Sequence, residues 1–429
     1  MFKISKNIGL TLCLATAMQS QFTLAQETQG QQLAVKKQPV YSLQDAVNMT
    51  LQSHPELAPF ALREQINKGL IRQAQVGTAM TIEANVTDVL GTGDYSAFNS
   101  VQTEVGIGWF LEQPKLDARV GVAKTESQLN AIEQQMKAID LAAKTASDYL
   151  VLLAQKERLK LAKLQQRQAE KMLMDISSRV AAGQGSKIDE LRAKADLADK
   201  VLVVEDYTHE IEASKASIAS QWQGNDQFRV TGALSNLPKL AKLSELKAQL
   251  KSNPRFKHFA TMQRVAESKV ALAEVENQPS WRVITGVKHN QALGDFAFSA
   301  GIEIPLGSPD RNIGKIQALQ TQQLEYQAQA DAWSNKISTQ LLLLTHKLEH
   351  NTHVTEGLLD NIIPALQDAA ELAEQAFKKG NYRYTDWYAI QQELSSAQTE
   401  LIDAYTNIHL FNIELQRLTG TSGIAGATL

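Results

Sequence analysis

The sequence has one cysteine in 429 residues, Cys13, and that cysteine lies in what reads as an export signal. Lys3 and Lys6 form a basic start, Ile8 to Met18 an apolar run, and Thr23-Leu24-Ala25 a small-residue cleavage site, so the mature chain is expected to begin at Gln26. A lipid anchor at Cys13 would need a small residue just before it, and Leu12 is not one. Once the signal is removed no thiol is left, which excludes disulfides and thiolate metal ligands. Long apolar runs are missing too. The signal run is too short to span a bilayer, and no later stretch approaches ~18 apolar residues, so membrane-spanning helices are not expected. The formal charge of −3 falls to about −5 without Lys3 and Lys6, which gives no reason to expect nucleic-acid binding. There is no nucleotide-phosphate loop, no Gly-x-Ser-x-Gly and no His-Glu-x-x-His, and Gly183-Gln184-Gly185 is a turn between helices. Neither catalysis nor a cofactor is expected.

What the chain does have, it has twice. Ser53-His54-Pro55 recurs as Ser252-Asn253-Pro254, about 199 residues on, and Gly183…Asp189…Leu197 recurs as Gly380…Asp386…Leu394, about 197 residues on. Two units of nearly equal spacing imply a duplicated architecture. The expected organisation is a signal peptide (1–25), a flexible leader (26–40), a first repeat (41–223), a linker (224–240) that can add a short strand, a second repeat (241–420) and a flexible tail (421–429). Each repeat holds a β-hairpin, at about 80–111 and about 281–306, and a helical hairpin turning near 183 or 380.

The hairpins show a period of two. Ile82, Ala84 and Val86 alternate with Glu83, Asn85 and Thr87; Val105, Ile107, Trp109 and Leu111 alternate with Glu104, Gly106 and Gly108. Trp281, Val283 and Val287, then Phe296, Phe298, Ala300, Ile302 and Ile304, repeat the pattern. Such strands fit either a soluble sheet with one wet face or an outer-membrane barrel with an apolar outside and a polar lumen. Four strands cannot close a barrel, and open edges in lipid would leave backbone groups unsatisfied. Three chains would supply twelve strands.

The helices are long because nothing interrupts them. Between Gly121 and Gly183 about 61 residues contain no Gly or Pro, enough for a helix of ~90 Å. Ser186 to Gln223 and Asn381 to Thr419 are similarly clear of breakers, whereas Ile316 to Lys379 is interrupted by Gly357 and Pro364. Leu141, Val151, Leu152, Leu159 and Leu164 sit among Gln, Lys, Glu and Ala, the narrow faces of coiled-coil packing. Ser42 with Asp45 three residues on echoes a capping box, and a following helix is expected to run from Pro55 to about Thr78.

Several stretches, in order, resemble the TolC family of outer-membrane export ducts. They are Leu43…Ala46…Leu51…Pro55-Glu56-Leu57, Arg179-Val180-Ala181-Ala182-Gly183…Ile188-Asp189-Glu190…Ala193, Ile304-Pro305-Leu306…Asp310-Arg311-Asn312-Ile313-Gly314-Lys315-Ile316, Ala376-Phe377-Lys378-Lys379-Gly380…Thr385-Asp386, and Leu415…Leu418-Thr419-Gly420. The resemblance covers about residues 40–420, and the Asp-Arg-Asn-x-Gly run is most similar to the outer-membrane components of heavy-metal efflux systems (CzcC-like). It implies a mainly α chain whose duplicated antiparallel helical hairpins form an α-barrel, with four strands per chain contributing to a trimeric twelve-stranded membrane β-barrel. It further implies a homotrimer in the bacterial outer membrane that extends into the periplasm. A periplasmic adaptor (membrane fusion protein) would dock it onto an inner-membrane RND pump that supplies the energy. Heavy-metal cations are the expected cargo. Organic drugs or a secreted polypeptide, and a periplasmic coiled-coil scaffold without a pore, are the alternatives.

In the family, the positions of Asp189 and Asp386 line the periplasmic mouth, where three copies of each would make a carboxylate ring that concentrates cations. The bland alternative is that both acids cap the returning helices. Gly183 and Gly380 would form the tip turns, with Arg179, Lys378, Lys379, Tyr382 and Arg383 available to an adaptor or a closing latch; Arg179, Lys378 and Lys379 fit equally well as last-turn cations. Tyr384, Trp387 and Tyr388 either pack the tip or face the adaptor. Trp109, Trp281, Phe296 and Phe298 fit a lipid-interface girdle or a structural core. His346, His350 and His353, at i, i+4 and i+7, could share a metal ion or simply face solvent or a neighbouring subunit.

Overall fold

The computed structural model describes residues 38–307 and 310–420. The expected signal, Cys13, nearly all of the leader and the tail lie outside these residues. The chain divides after Gln38, and the architecture below belongs to the unit beginning at Pro39.

β1 (Val40–Tyr41) pairs in parallel with β4 (Arg229–Val230), so the linker does add a strand, and Val40, assigned to the leader, is part of the fold. The Tyr149 hydroxyl fastens this pair, accepting from the Thr231 amide at 3.1 Å and lying 2.8 Å from the Tyr41 carbonyl. α1 (Leu43–Ser53) starts at the expected capping box: the Ser42 side chain accepts from Asp45 N, and Asp45 accepts from Ser42 N at 2.9 Å. α2 (Ala58–Ala74) stops four residues short of Thr78. The reason is Glu112, whose carboxylate takes both the Thr78 amide and, at 3.2 Å, its hydroxyl, drawing this segment to the base of the sheet.

α3 (Gln113–Ala181) is a helix of 69 residues, ~100 Å long, running through Gly121 without a break. Ser186 caps α4 (Lys187–Ser220). The second repeat follows with α5 (Leu243–Leu250), α6 (Pro254–Asn277), α7 (Ile313–Gly357), α8 (Ile363–Lys378) and α9 (Tyr384–Thr419). A five-residue π-turn, Leu358–Ile362, separates α7 from α8, just where Gly357 and Pro364 interrupt the pattern. Proline removes a backbone donor, and the wider turn absorbs the loss without ending the helix.

The repeat is visible in packing. Towards its start α3 packs against α2 and α6, and α6 against α7; towards its end α3 packs against α4 and α9, and α9 against α8. Two rows of four helices result, sharing α3 and joined as well by the end of α7, which packs against α9. The Ser-x-Pro motifs splice the rows together. His54 Nδ1 accepts from Glu56 N (3.1 Å), so its Nε2 carries the proton and donates to Gln221 Oε1 (3.1 Å) at the end of α4. Asn253 Oδ1 accepts from Arg255 N (2.7 Å), and its Nδ2 donates to the Leu418 carbonyl (2.7 Å) at the end of α9. In each repeat one side chain caps the helix it begins and holds the end of the helix below.

β2 (Thr81–Thr87), β3 (Gln102–Leu111), β5 (Trp281–Asn290) and β6 (Asp295–Glu303) form one antiparallel sheet in the order β2-β3-β5-β6, so the two expected hairpins join side by side. Asp88 and Leu90, both at positive φ, end β2 early, at seven residues. No helix among the described residues is long and apolar enough to cross a membrane.

Asn253→Ala removes a cap and a buried carbonyl's partner, and is expected to cost about 2 kcal/mol. His54→Asn is expected to cost well under half as much. Thermal unfolding followed by circular dichroism at 222 nm compares the two.

Candidate functional site

Two regions carry the residues singled out above: the tips of the helical hairpins and the two faces of the sheet.

The tip turns have the same geometry in both repeats. Gly183 (φ +73°) and Gly380 (φ +82°) adopt the left-handed conformation that follows a helix end. Gln184 N donates to Arg179 O (2.8 Å) and Gly183 N to Val180 O (3.0 Å); Asn381 N donates to Ala376 O (3.0 Å) and Gly380 N to Phe377 O (2.9 Å). Asp189 and Asp386 are therefore equivalent, each the third residue of the returning helix. Their electrostatics differ. Arg383 grips Asp386 through Nε (2.9 Å) and Nη2 (3.2 Å), so that carboxylate is compensated inside its own turn. Asp189 instead lines a cavity of about 400 Å³ between the two turns, with Gln184, Tyr382 and Arg383. Ser186, not Asp189, makes the side-chain cap of α4.

Two of the cations expected to face a partner are committed within the chain. Arg179 donates to the Phe377 carbonyl and stacks over the Phe377 ring, 4.6 Å from its centroid, which ties the end of α3 to the end of α8. Lys378 shares Glu374 with Lys171, both at 2.6 Å. These bonds lower the Glu374 pKa, the one from Lys171 most, and the Glu374 bond raises that of Lys378. Lys379, Tyr382 and Arg383 stay exposed at the second turn. Tyr384 and Trp387 are buried in the tip core with Met172, Ile176, Ala193 and Phe377, so for these two the packing alternative holds.

Sequence reasoning missed a further bond that crosses between the two hairpins. The Tyr388 hydroxyl donates to Asp196 Oδ1 at 2.9 Å, joining α9 to α4. Burial, then the Asp196 bond, push the Tyr388 pKa up to about 12, so the phenol remains a donor at any physiological pH. The signal was present in outline: Asp196 lies two turns beyond Asp189 on the same helix face.

The sheet has two contrasting faces. The register puts Ile82, Ala84, Val105, Ile107, Trp109, Trp281, Val283, Val287, Phe296, Phe298 and Ile302 on one side. Most of that face is bare: Ile82 is 79 %, Phe296 74 % and Phe298 92 % exposed. Trp109 and Trp281 sit at the end joined to α3 and α6, and Phe296 and Phe298 near the far turn, so the four aromatics mark two rims and not one belt. From Trp281 to His289, the partner of Phe296, is ~26 Å of strand, about the height of a membrane barrel's apolar band. The other face carries Glu83, Glu104, Gly106, Gly108, Arg282, Gly286, Lys288, Ser299, Gly301 and Glu303, with Phe110 and Ile284 among them.

The three histidines do not form a site. His346, His350 and His353 are all exposed, and His346 pairs with Glu349 at 3.3 Å. Among the described residues no group of three or more His, Cys, Asp or Glu is placed to hold a metal ion.

Gly380→Ala forces a side chain into the left-handed region and is expected to cost about 1–2 kcal/mol, read as a lowered thermal midpoint. Tyr388→Phe is expected to cost about 1 kcal/mol at neutral pH. Because the folded pKa is raised, the tyrosine's contribution is complete below about pH 10 and lost as pH climbs to about 12. The stability gap between wild type and Tyr388→Phe should close over that interval in melts taken at stepped pH.

No family model matches the chain. Over 97 % of its length and 100 % of the relative's, it is 24 % identical to the cobalt-zinc-cadmium resistance protein CzcC of Cupriavidus metallidurans. Among solved structures it is similar to CusC, with a TM-score of 0.70 and 14 % identity over 89 % of this chain and 92 % of that one. It is also similar to the outer-membrane protein VceC of Vibrio cholerae, with a TM-score of 0.66 and 15 % identity over 88 % and 96 %. The chain therefore has the fold of these solved outer-membrane channels, in keeping with the resemblance that its sequence carries to the TolC family.

Proposed function

We propose that the chain is one subunit of a homotrimeric outer-membrane duct that passively conducts heavy-metal cations delivered by an inner-membrane RND pump through a periplasmic adaptor. The observation that carries this reading is that the chain is open on both flanks at three successive levels. β2 and β6 are the free edges of the sheet. α2 and α7 end the first helical row, and α2 exposes Leu62, Ile66 and Leu70, one turn apart. α4 and α8 end the second row; α4 exposes Ile188, Leu191 and Leu202 at heptad-like spacing, and α8 with the π-turn before it exposes Leu359, Ile362 and Leu372. Copies arranged about a threefold axis cover all three pairs of flanks at once, giving twelve strands above twelve helices.

The metal cargo is supported by the end-to-end likeness to a cobalt-zinc-cadmium resistance protein. Asp189 fits it as well, an acid at a tip cavity with no cation drawn onto it. Trp109, Trp281, Phe296 and Phe298 serve as the aromatic rims at the two lipid interfaces. Lys379, Tyr382 and Arg383 are the exposed tip residues open to an adaptor. Energy comes from the pump, and the chain does no chemistry of its own.

Deleting the gene is expected to sensitise cells to zinc, cobalt or cadmium salts and not to dyes or antibiotics, measured as growth inhibition across a panel of both. Sensitisation to organics alone would move the cargo to drugs. A purified protein that is a detergent-independent monomer would sink the duct and favour a scaffold without a pore. In planar bilayers Asp189→Asn should lower cation-over-anion permeability roughly twofold, and Asp386→Asn should lower it less because Arg383 already compensates that acid.

A further inference from the structure

We infer that Arg282 is a positioning residue, a clasp that bends the four-stranded sheet so that its two open edges can meet those of further copies of the chain. The inference rests on the duct reading above.

Arg282 lies on β5, on the face that carries the glycines and most of the polar residues. Its guanidinium reaches both edge strands. It forms an ion pair with Glu83 on β2, donates from Nη2 to Thr81 Oγ1 at 2.7 Å, also on β2, and donates from Nη1 to Glu303 Oε2 on β6 at 2.9 Å. It stands 5.7 Å from the centroid of the Phe110 ring on β3. One side chain thus touches all three other strands.

To reach β2 from β5, the guanidinium must cross β3, and it does so over Gly108. A Cβ there would lie 2.8 Å from Arg282 Nη2 and 3.0 Å from Thr81 Oγ1, so only glycine leaves the passage clear. Gly106 and Gly286 face each other a step further along, where a Cβ on Gly286 would come 2.8 Å from the Val105 carbonyl. A sheet whose glycines all lie on one face, among only two large apolar residues, Phe110 and Ile284, and whose other face is crowded with Ile, Val, Trp and Phe bends towards the glycines, as barrel walls require. The clasp pulls in that direction, because it draws the first and last strands towards a common cation on the inner face.

The charges suit the same purpose. Glu83 and Glu303 sit on opposite edges of the sheet. In an assembly each seam brings one edge of a chain to the other edge of its neighbour, so two carboxylates would approach. Arg282 compensates both from within its own chain. Its side chain is only 15 % exposed, and a fork-shaped guanidinium can hold two carboxylates and a hydroxyl at once. An ammonium in its place could not reach all three.

The test compares wild type, Arg282→Gln, Arg282→Lys and the triple variant Glu83→Gln/Arg282→Gln/Glu303→Gln, each purified in detergent. The monomer-to-trimer ratio is measured by light scattering after heating, with the 222 nm helical signal as the control for folding. Arg282→Gln should raise the monomer fraction at least tenfold at unchanged helicity, Arg282→Lys should recover part of the loss, and the triple variant should lie between Arg282→Gln and wild type. If Arg282→Gln loses helicity, Gly108→Ala replaces it: every charge stays and only the path is blocked, and the monomer fraction should still rise. Arg282→Gln as trimeric as wild type at equal helicity overturns the clasp and leaves the duct standing. A wild type that is itself monomeric overturns both.

Discussion

Everything in this chain turns on backbone groups left without partners at the edges of a four-stranded sheet. An edge strand presents a row of N–H and C=O groups, and in hydrocarbon each unpaired one costs several kcal/mol. Among the described residues both edges are free and one face is apolar, so neither water nor lipid alone can satisfy the sheet. The helices below inherit the same incompleteness: their outermost members carry apolar side chains with nothing over them. On the duct reading proposed above, a chain built this way is one third of an object. Covering the flanks in all three tiers at once explains why the strands are set inside very long helices and not in a domain of their own.

Duplication supplies the symmetry, and its two halves have diverged in chemistry while keeping their geometry. His54 and Asn253 do one job with an imidazole and an amide, because each offers an acceptor to the helix it starts and a donor to the helix end beneath it. The tip turns share the backbone bonds that close each outgoing helix, yet Asp386 is compensated by Arg383 and Asp189 is not. Backbone demands are strict, since a left-handed turn or a helix start admits few residues. Side-chain electrostatics are free to drift, and at the tips they have.

That difference also explains what was legible in the sequence. The repeat, both β-hairpins, the two turn glycines and the capping box could be read because each follows from local rules: period two, breaker spacing, and the few residues that fit a cap. The expected end of α2 near Thr78 was wrong, since Glu112, thirty-odd positions away, removes those residues from the helix. Arg179 stays open between a partner-facing and a last-turn cation because nothing local reveals that Phe377, on another helix, faces it, whereas the Glu374–Lys378 pair, one turn apart on α8, is legible from spacing. Tyr388 and Asp196, or Arg282 and Glu83, meet only after the two repeats fold against each other. The π-turn at Leu358–Ile362 was legible as an interruption but not in kind, because Gly357 and Pro364 mark a weak point without saying whether the helix stops or widens.

The splices at His54 and Asn253 give the two repeats a mechanical asymmetry between their helices. α3 is unbroken from the sheet to its tip, so a displacement of that tip is carried covalently to β3 along a single rod. α4 and α9 end at joints, where the force must pass through a pair of hydrogen bonds before it reaches α2 or α6. One rod is therefore stiff and its neighbours are articulated at mid-length. Movement at the tips can then be taken up at the joints while α3 keeps its hold on the sheet.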